Sequence, residues 1–124
     1  MGNVSDGAWS DEERALLTRI AAGETIVIRI PRGRQARHKR LYARCKAAGL
    51  LVRIDRRTDW GNPYLPGRDG DRTDVMQKYR AYLMERPDLL ARLGELDGKA
   101  LACWCAPLPC HGDVLAEAAK QTQP

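Results

Sequence analysis

The sequence predicts an α/β fold with a small, mostly parallel sheet of three or four strands flanked by helices. Segments rich in β-branched residues alternate with segments whose apolar residues recur at helical spacing. A helix-length segment separates the first two predicted strands, and this spacing is typical of a parallel βαβ crossover. The predicted order, α-β-α-β-loop-α-α-β-α, indicates one Rossmann-like domain spanning residues 1–124. A chain of this length can bury one core without disulfides or metals.

In the first half of the chain, a helix cap and β-branched residues define the predicted elements. Ser10-Asp11-Glu12-Glu13 is a capping box, which begins a helix. β-branched residues dominate Thr25 to Ile30, so this segment is predicted to be a strand. Gly49 is suited to end the second helix. The predicted elements are a helix from residue 10 to about 23, a strand over 25–30, a helix over 34–48 and a strand over 50–54.

The second half opens on residues 56–71, the longest irregular stretch, which holds three glycines and two prolines. Loops this long inside a compact domain are often functional. Thr73 can cap the helix that follows, and Pro87 suits the first turn of a short next helix. The remaining predicted elements are a helix over 73–86, a short helix from 87, a strand over 99–105 and a helix over 112–120.

The net charge of +5 is unevenly placed along the chain. Residues 29–57 contain eleven Lys or Arg residues and a single acid, Asp55. This asymmetry predicts an anionic partner, which would be nucleic acid, a nucleotide or phosphate. The alternative is an ordinary solvated helix face. The candidate nucleic-acid-binding residues are Arg34, Arg37, Lys39, Arg40 and Arg44.

Residues 1–10 are polar, and the longest uncharged run, residues 100–112, is too short to cross a bilayer and contains two prolines. We therefore expect a cytoplasmic protein with no membrane partner. Thiols in that compartment stay reduced, so the cysteines are more readily ligands, nucleophiles or core residues than disulfides. The sequence does not predict an oligomeric state.

The segment Cys103-Trp104-Cys105-Ala106-Pro107-Leu108-Pro109-Cys110-His111-Gly112-Asp113 holds three of the four cysteines and one of the two histidines. It lies where the third predicted strand ends and the last helix begins. Ligands of open α/β sheets bind beyond the carboxyl ends of the strands. The start of a helix also attracts anions and lowers the pKa of a cysteine placed there.

Three interpretations of this segment stay open. In the first, Cys103, Cys105, Cys110 and His111 bind zinc as a Cys₃His set, although adjacent ligands at 110 and 111 fit one ion poorly. In the second, Cys105, Cys110 and His111 form a catalytic or substrate-binding site, with Asp113 as acid/base or as an orienting group. In the third, the cysteines are small core residues and the histidine caps the helix. Zinc is thus a candidate cofactor under the first interpretation alone.

The long loop supplies the candidate ligand-binding residues. The Asn62 amide can both donate and accept hydrogen bonds, as base or sugar recognition requires, but an Asn before Pro63 is also an ordinary turn residue. Arg56 and Arg57 could hold phosphate, and their alternative is solvent exposure. Trp60 is a candidate stacking platform for a base.

Five further residues are predicted to have no part in the site. One of them, Trp104, lies within the Cys103–Asp113 segment, and the other four lie outside both that segment and the long loop. Trp104 alternates away from its flanking cysteines and is predicted to pack in the core. His38 is predicted to be a surface histidine, and Cys45 to be a core residue. Tyr79 and Tyr82 lie at helical spacing and are also predicted to be core residues.

Trp60-Gly61-Asn62-Pro63-Tyr64 and the Cys103–Asp113 segment together resemble the domain-of-unknown-function family 4326 of phages and bacteria, over residues 51–119. The resemblance implies a compact α/β domain and no established activity. The resemblance makes the basic βαβ segment over 10–55 an N-terminal elaboration. From the sequence itself, residues 121–124 are predicted to be a disordered tail. A weaker similarity extends to another family with a Cys…Cys-His element but no counterpart of Cys103, which weakens the four-ligand zinc site.

Two functions follow as hypotheses. The first is a small enzyme or ligand-binding domain acting on a nucleotide, nucleoside or nucleic acid, in which the loop over 61–64 and the cysteine–histidine junction form one pocket. The second is a non-catalytic nucleic-acid-binding protein whose basic helix grips phosphates and whose cysteines are structural, with or without zinc.

Overall fold

The computed structural model describes residues 9–33 and 37–121 and has the predicted α/β class and element order. No helix in this part of the chain is long and apolar enough to cross a membrane. The first residue of the predicted tail, Gln121, ends the last helix, and residues 122–124 lie outside the described ones. The elements are α1 (Asp11–Ala21), β1 (Ile26–Arg29), α2 (Lys39–Ala47), β2 (Leu51–Arg53), α3 (Arg72–Met84), α4 (Pro87–Leu90), a 3₁₀ helix (Leu93–Leu96), β3 (Ala100–Cys103) and α5 (His111–Gln121).

The three strands are all parallel, in the order β1-β3-β2. Leu101 of β3 aligns with Val27 of β1 on one side and with Val52 of β2 on the other. The predicted β1-α2-β2 crossover is therefore parallel, but the last strand enters between its two strands. All four residues of β3 are buried as a result. The finer Rossmann-like arrangement stays a prediction.

The sheet separates two helical layers, because successive side chains of a strand point to opposite faces. Ala100 and Ala102 pack in the cluster formed with α1 and α2, whereas Leu101 and Cys103 pack in the cluster formed with α3, α4 and α5. Cys105 and Cys110 belong to the same side as Cys103. The cysteines thus face the layer of α3 and α5, and the basic helix α2 lies in the opposite layer.

The capping box at the start of α1 is present and also ties α1 to α2. The Glu13 amide donates to Ser10 Oγ at 3.0 Å, and the Ser10 amide donates to Glu13 Oε1 at 3.1 Å. The other carboxylate oxygen of Glu13 accepts from the Leu41 amide of α2 at 2.9 Å. Both carboxylate oxygens of Glu13 therefore accept hydrogen bonds from backbone amides, which explains how this side chain can be buried. At α3 the cap is Asp71, not the predicted Thr73, because the carboxylate accepts the Asp74 amide at 2.8 Å.

His38 is buried rather than exposed, contrary to the sequence prediction. Its Nδ1 accepts the Arg29 amide at 2.7 Å, so the hydrogen of a neutral ring is on Nε2, which lies 2.9 Å from Glu12 Oε1. The basic residues beside His38 in the sequence suggested an exposed side chain. Its hydrogen-bond partners, Arg29 at the end of β1 and Glu12 of α1, are distant in sequence, so the local pattern could not predict its burial.

Candidate functional site

A pocket of about 420 Å³ opens at the carboxyl edge of the sheet, where β2 and β3 end. The long loop forms one part of its wall through Arg56, Arg57 and Asn62. The junction between β3 and α5 forms another part, through residues that the sequence also selected: Cys103, Cys105, Cys110 and His111. The structure therefore brings the two predicted motifs to a single pocket.

His111 stands at the inner wall of the pocket and is only 7% exposed. Its Nε2 lies 2.6 Å from the Ile54 carbonyl oxygen, and because a carbonyl only accepts, Nε2 carries the hydrogen. The ring also meets the Tyr79 ring edge-on, with centroids 5.0 Å apart. Burial lowers the pKa of His111 below its usual value of 6.5, so the imidazole is neutral near pH 7. Its Nδ1 keeps a lone pair that has no partner within residues 9–33 and 37–121.

The three thiols of the junction form one cluster. Cys103 Sγ and Cys110 Sγ are 3.3 Å apart and both residues are buried, while Cys105 contacts both and is partly exposed. Hydrogen bonds from Cys103 and Cys110, together with the Arg72 guanidinium, hold the pKa of Cys105 well below its usual range. The hydrogen bond with Cys105 raises the pKa of Cys103, and the hydrogen bonds with Cys103 and Cys105 raise that of Cys110. The directions of these pKa shifts favour ionisation at Cys105, the most accessible of the three sulfurs.

Cys110 sits immediately before α5 and takes part in its N-terminal cap. Its Sγ accepts the Gly112 amide at 3.3 Å, and its own amide donates to Asp113 Oδ2 at 2.9 Å. Asp113 is exposed, is not among the residues lining the pocket, and orients Cys110 from the helix side. A side chain at Gly112 would meet Val27 Cγ1 at 2.8 Å, so glycine lets the helix start lie directly against the sheet.

The geometry does not favour the predicted zinc site. Nε2 of His111 is engaged by the Ile54 carbonyl. In the described part of the chain, no group of three or more His, Cys, Asp or Glu side chains is arranged to hold a metal ion. Zinc therefore stays a prediction from the residue types alone.

The loop wall has one restrained and one unengaged arginine. Asn62 Oδ1 accepts the Tyr64 amide at 2.9 Å, which is the turn role considered above, and leaves the side-chain NH₂ group for a ligand. Arg56 donates to the Asn62 carbonyl at 3.2 Å and braces the loop. Arg57 is exposed and has no hydrogen-bond or ion-pair partner among the residues that the structure describes.

The two tryptophans exchange their predicted roles. Trp60 is only 3% exposed and packs in the core, where the Tyr79 hydroxyl donates to its carbonyl at 2.7 Å, so it is not a wall of the pocket. Trp104 lines the pocket and is 41% exposed. The alternation that predicted a buried Trp104 ends with β3 at Cys103, one residue earlier.

Sequence reasoning missed Arg72 and Asp55 in the pocket wall. Arg72 is the first residue of α3, and its guanidinium reaches the Pro109 carbonyl at 3.3 Å. Its place directly after the long loop was the signal that could have found it. Asp55 is buried, yet hydrogen bonds from Arg53 and Trp104 outweigh that burial and lower its pKa.

Four of the five predicted nucleic-acid-binding residues lie away from this pocket. Arg37 pairs with Glu12 of α1 at 3.2 Å. Lys39, Arg40 and Arg44 are exposed on α2 and do not line this pocket. Arg34 lies outside the described residues.

Gly61 sets the shape of the loop wall, and we expect Gly61→Ala to destabilise the protein by about 2 kcal/mol. A Cβ there would come within 2.6 Å of Arg56 Cα and 2.9 Å of the Asp55 carbonyl oxygen, and backbone atoms cannot rotate away. Urea unfolding would measure the loss. Gly94→Ala is the matched control, because a Cβ at that position meets nothing within 4 Å. Equal stabilities of the two variants would contradict the close approach.

The fold and the pocket define a small α/β domain whose candidate ligand site lies at the carboxyl edge of a parallel sheet. The family described as Domain of unknown function (DUF4326) matches residues 35–121, and the chain belongs to that family. The match begins before residue 51, so it includes α2, which the sequence resemblance had left outside.

One relative is the "Uncharacterized 12.4 kDa protein in nrdA-td intergenic region" of Enterobacteria phage T4. It is 36% identical over 69 residues, an alignment that covers 52% of this chain. The chain spans 63% of that relative's length. No solved structure matches the chain.

Proposed function

We propose that the pocket binds a nucleotide, or a nucleoside phosphate of similar size, with the Cys105 thiolate facing the ligand as a nucleophile. The observation that supports this most is the convergence of an unengaged arginine, an exposed tryptophan face, a free amide donor and a partly exposed cysteine around one cavity of about 420 Å³. Small-molecule sites generally occupy about 300–1,000 Å³. The proposal places the protein in the cytoplasm, where thiols stay reduced.

The charge of the wall favours a phosphate group. Arg56, Arg57 and Arg72 line the cavity, and the acid beside them, Asp55, is neutralised by an ion pair with Arg53. Arg57 would bind the phosphate without giving up an existing protein contact, so the interaction would cost little reorganisation.

The remaining wall suits a heterocyclic base. The exposed face of Trp104 offers a stacking surface, and its ring is held in place by a hydrogen bond from Nε1 to Asp55 Oδ2 at 3.1 Å. The Asn62 NH₂ group supplies donors, and the lone pair on His111 Nδ1 supplies an acceptor. A donor and an acceptor on opposite walls can distinguish one base from another.

Cys105 is the group of the pocket best suited to attack the ligand. Its sulfur is partly exposed and has a lowered pKa, whereas Cys103 and Cys110 are buried and have raised pKa values, so Cys105 is the thiol whose ionisation is favoured. His111 Nδ1 can accept a proton from the ligand, since the ring is neutral. These two side chains are the proposed catalytic pair, with Asp113 acting indirectly by orienting Cys110.

Titration calorimetry with a panel of ribonucleoside and deoxyribonucleoside monophosphates, and with inorganic phosphate, tests the proposal. We expect at least one nucleotide to bind more tightly than phosphate, and Arg57→Ala to weaken that binding about tenfold. Arg44→Ala, which removes an equal charge from α2, is the control and should leave nucleotide binding unchanged.

The same two variants distinguish nucleotide binding in the pocket from the alternative function, nucleic-acid binding by α2. If α2 instead grips nucleic acid, Arg44→Ala would weaken binding to a DNA or RNA oligonucleotide and flatten its salt dependence, while Arg57→Ala would not. That pattern, with no binding of any monophosphate, would overturn the proposed pocket function.

A further inference from the structure

The junction between β3 and α5 holds three neighbouring cysteines, Cys103, Cys105 and Cys110, whereas the proposed function uses only Cys105 as a nucleophile. Cys103 and Cys110 bring their sulfur atoms to 3.3 Å, inside the core, and Cys105, which interacts with both, is partly exposed and lines the pocket. The remaining cysteine, Cys45, is buried in the opposite layer and cannot take part. The cluster therefore has one accessible sulfur and two that lie behind it.

We propose that these three cysteines form a hydroperoxide-reactive relay, in which Cys105 is oxidised first and a disulfide between Cys103 and Cys110 is the end product. The proposal does not rest on nucleotide binding, because a hydroperoxide is small enough to reach Cys105 in the empty pocket.

In the first step the Cys105 thiolate attacks one oxygen of the hydroperoxide ROOH. The S–O bond forms and the O–O bond breaks, so the sulfur loses two electrons and the peroxide gains them. A proton from solvent completes the alcohol ROH, or water when R is hydrogen, and Cys105 becomes a sulfenic acid. Arg72, which contacts the Cys105 sulfur, is placed to stabilise the negative charge that leaves with the alkoxide.

In the second step the Cys110 sulfur attacks the Cys105 sulfur. The S–S bond forms, the S–O bond breaks, and the hydroxyl group leaves with the Cys110 proton as water. The Cys103 sulfur, already 3.3 Å from that of Cys110, then attacks Cys110. The Cys103–Cys110 bond forms, the Cys105–Cys110 bond breaks, Cys105 leaves as a thiolate, and the Cys103 proton passes to solvent. Thiol–disulfide exchange runs toward the better leaving group, and Cys105 is that group because the charge on its sulfur is stabilised by Arg72.

The geometry favours this final pairing. A disulfide needs its sulfurs at about 2.05 Å, so the Cys103–Cys110 pair must close by only a little over 1 Å. The new bond would be buried and would restore Cys105 for ligand chemistry or for a second oxidation. Return to the dithiol state requires two equivalents of a small thiol, which leave as their own disulfide.

The test uses the full-length, reduced protein without nucleotide and one equivalent of hydrogen peroxide. Free thiols are blocked with iodoacetamide, the disulfide is then reduced, and the newly freed thiols are blocked with N-ethylmaleimide. Trypsin releases residues 100–120 as one peptide that carries all three cysteines, so fragment ions assign the labels. We expect iodoacetamide on Cys105 and N-ethylmaleimide on Cys103 and Cys110.

Two variants decide the order of events. Cys105→Ser keeps both bridging cysteines, and we expect disulfide formation to slow at least about tenfold. Cys103→Ser should halt the relay at a Cys105–Cys110 disulfide. Cys45→Ala is the control and should oxidise like the wild type. The relay would be overturned if Cys105→Ser formed the disulfide at the wild-type rate, or if the disulfide of the wild-type product contained Cys105. Neither result would bear on nucleotide binding, which is tested separately with Arg57→Ala.

Discussion

Alkylation of Cys105 by iodoacetamide should proceed at nearly the same rate at pH 6 and at pH 8, changing less than about twofold. The thiolate is the reactive form of cysteine, and the hydrogen bonds from Cys103 and Cys110 together with Arg72 keep the Cys105 sulfur ionised across this range. An ordinary thiol with a pKa of about 8.5 would react about 75-fold faster at pH 8 than at pH 6. The slope of the rate against pH, followed on the peptide of residues 100–120, is therefore the measurement.

The absolute rate is a weaker test than the slope, because nucleophilicity falls as the pKa falls. Arg72→Ala removes the charge beside the sulfur, so we expect it to restore part of the pH dependence. Arg80→Ala is the matched control, since Arg80 lies on the same helix but pairs with Glu117 at 3.2 Å, away from the pocket. A rise of about 75-fold between pH 6 and pH 8 in the folded wild type would show that Cys105 is an ordinary thiol.

The layers of the fold could be predicted because their signals are local. The Ser10–Glu13 capping box and the β-branched run before Pro31 each define an element from its own residues. The strand order β1-β3-β2 could not be predicted in the same way. Which strands become neighbours depends on how the long connection through α3 and α4 returns to the sheet, and no short segment encodes that.

The pocket could be predicted because parallel strands place their carboxyl ends at one edge, so residues that follow β2 and β3 must lie near each other. The contribution of Arg72 could not, since its contacts with Cys105 and the Pro109 carbonyl join residues far apart in the chain. Trp60 and Trp104 show the same limit. Trp60 is buried because of the way the loop folds over α3. Trp104 is exposed because β3 ends at Cys103, so the strand alternation that predicted its burial does not reach it.

His111 illustrates why the catalytic and the structural interpretations of the junction were not exclusive. Its Nε2 satisfies the Ile54 carbonyl at 2.6 Å and thereby anchors the start of α5 to the end of β2. The other ring nitrogen, Nδ1, is the acceptor in the proposed function. One side chain can therefore position the pocket wall and serve the proposed ligand, because the two nitrogens of imidazole can have separate roles.

We expect His111→Leu to lose about 3 kcal/mol of stability at pH 8, because a buried carbonyl would lose its donor and the ring contact with Tyr79 would also be lost. His111→Gln keeps an N–H donor on a side chain of similar reach and should lose clearly less. Urea unfolding of the three proteins measures the difference. A His111→Leu variant as stable as the wild type would show that the Ile54 carbonyl needs no partner.

The same residue should make the wild type sensitive to acid. Burial lowers the pKa of His111 in the folded protein below 6.5, whereas the unfolded chain keeps the usual value. The unfolded state therefore takes up a proton first as the pH falls through 6.5, and stability is fully present above that pH and declines below it until the folded pKa is reached. His111→Gln cannot titrate, so its stability should fall less between pH 8 and pH 5.5 than that of the wild type. The difference between the two slopes is therefore the quantity that reports on His111.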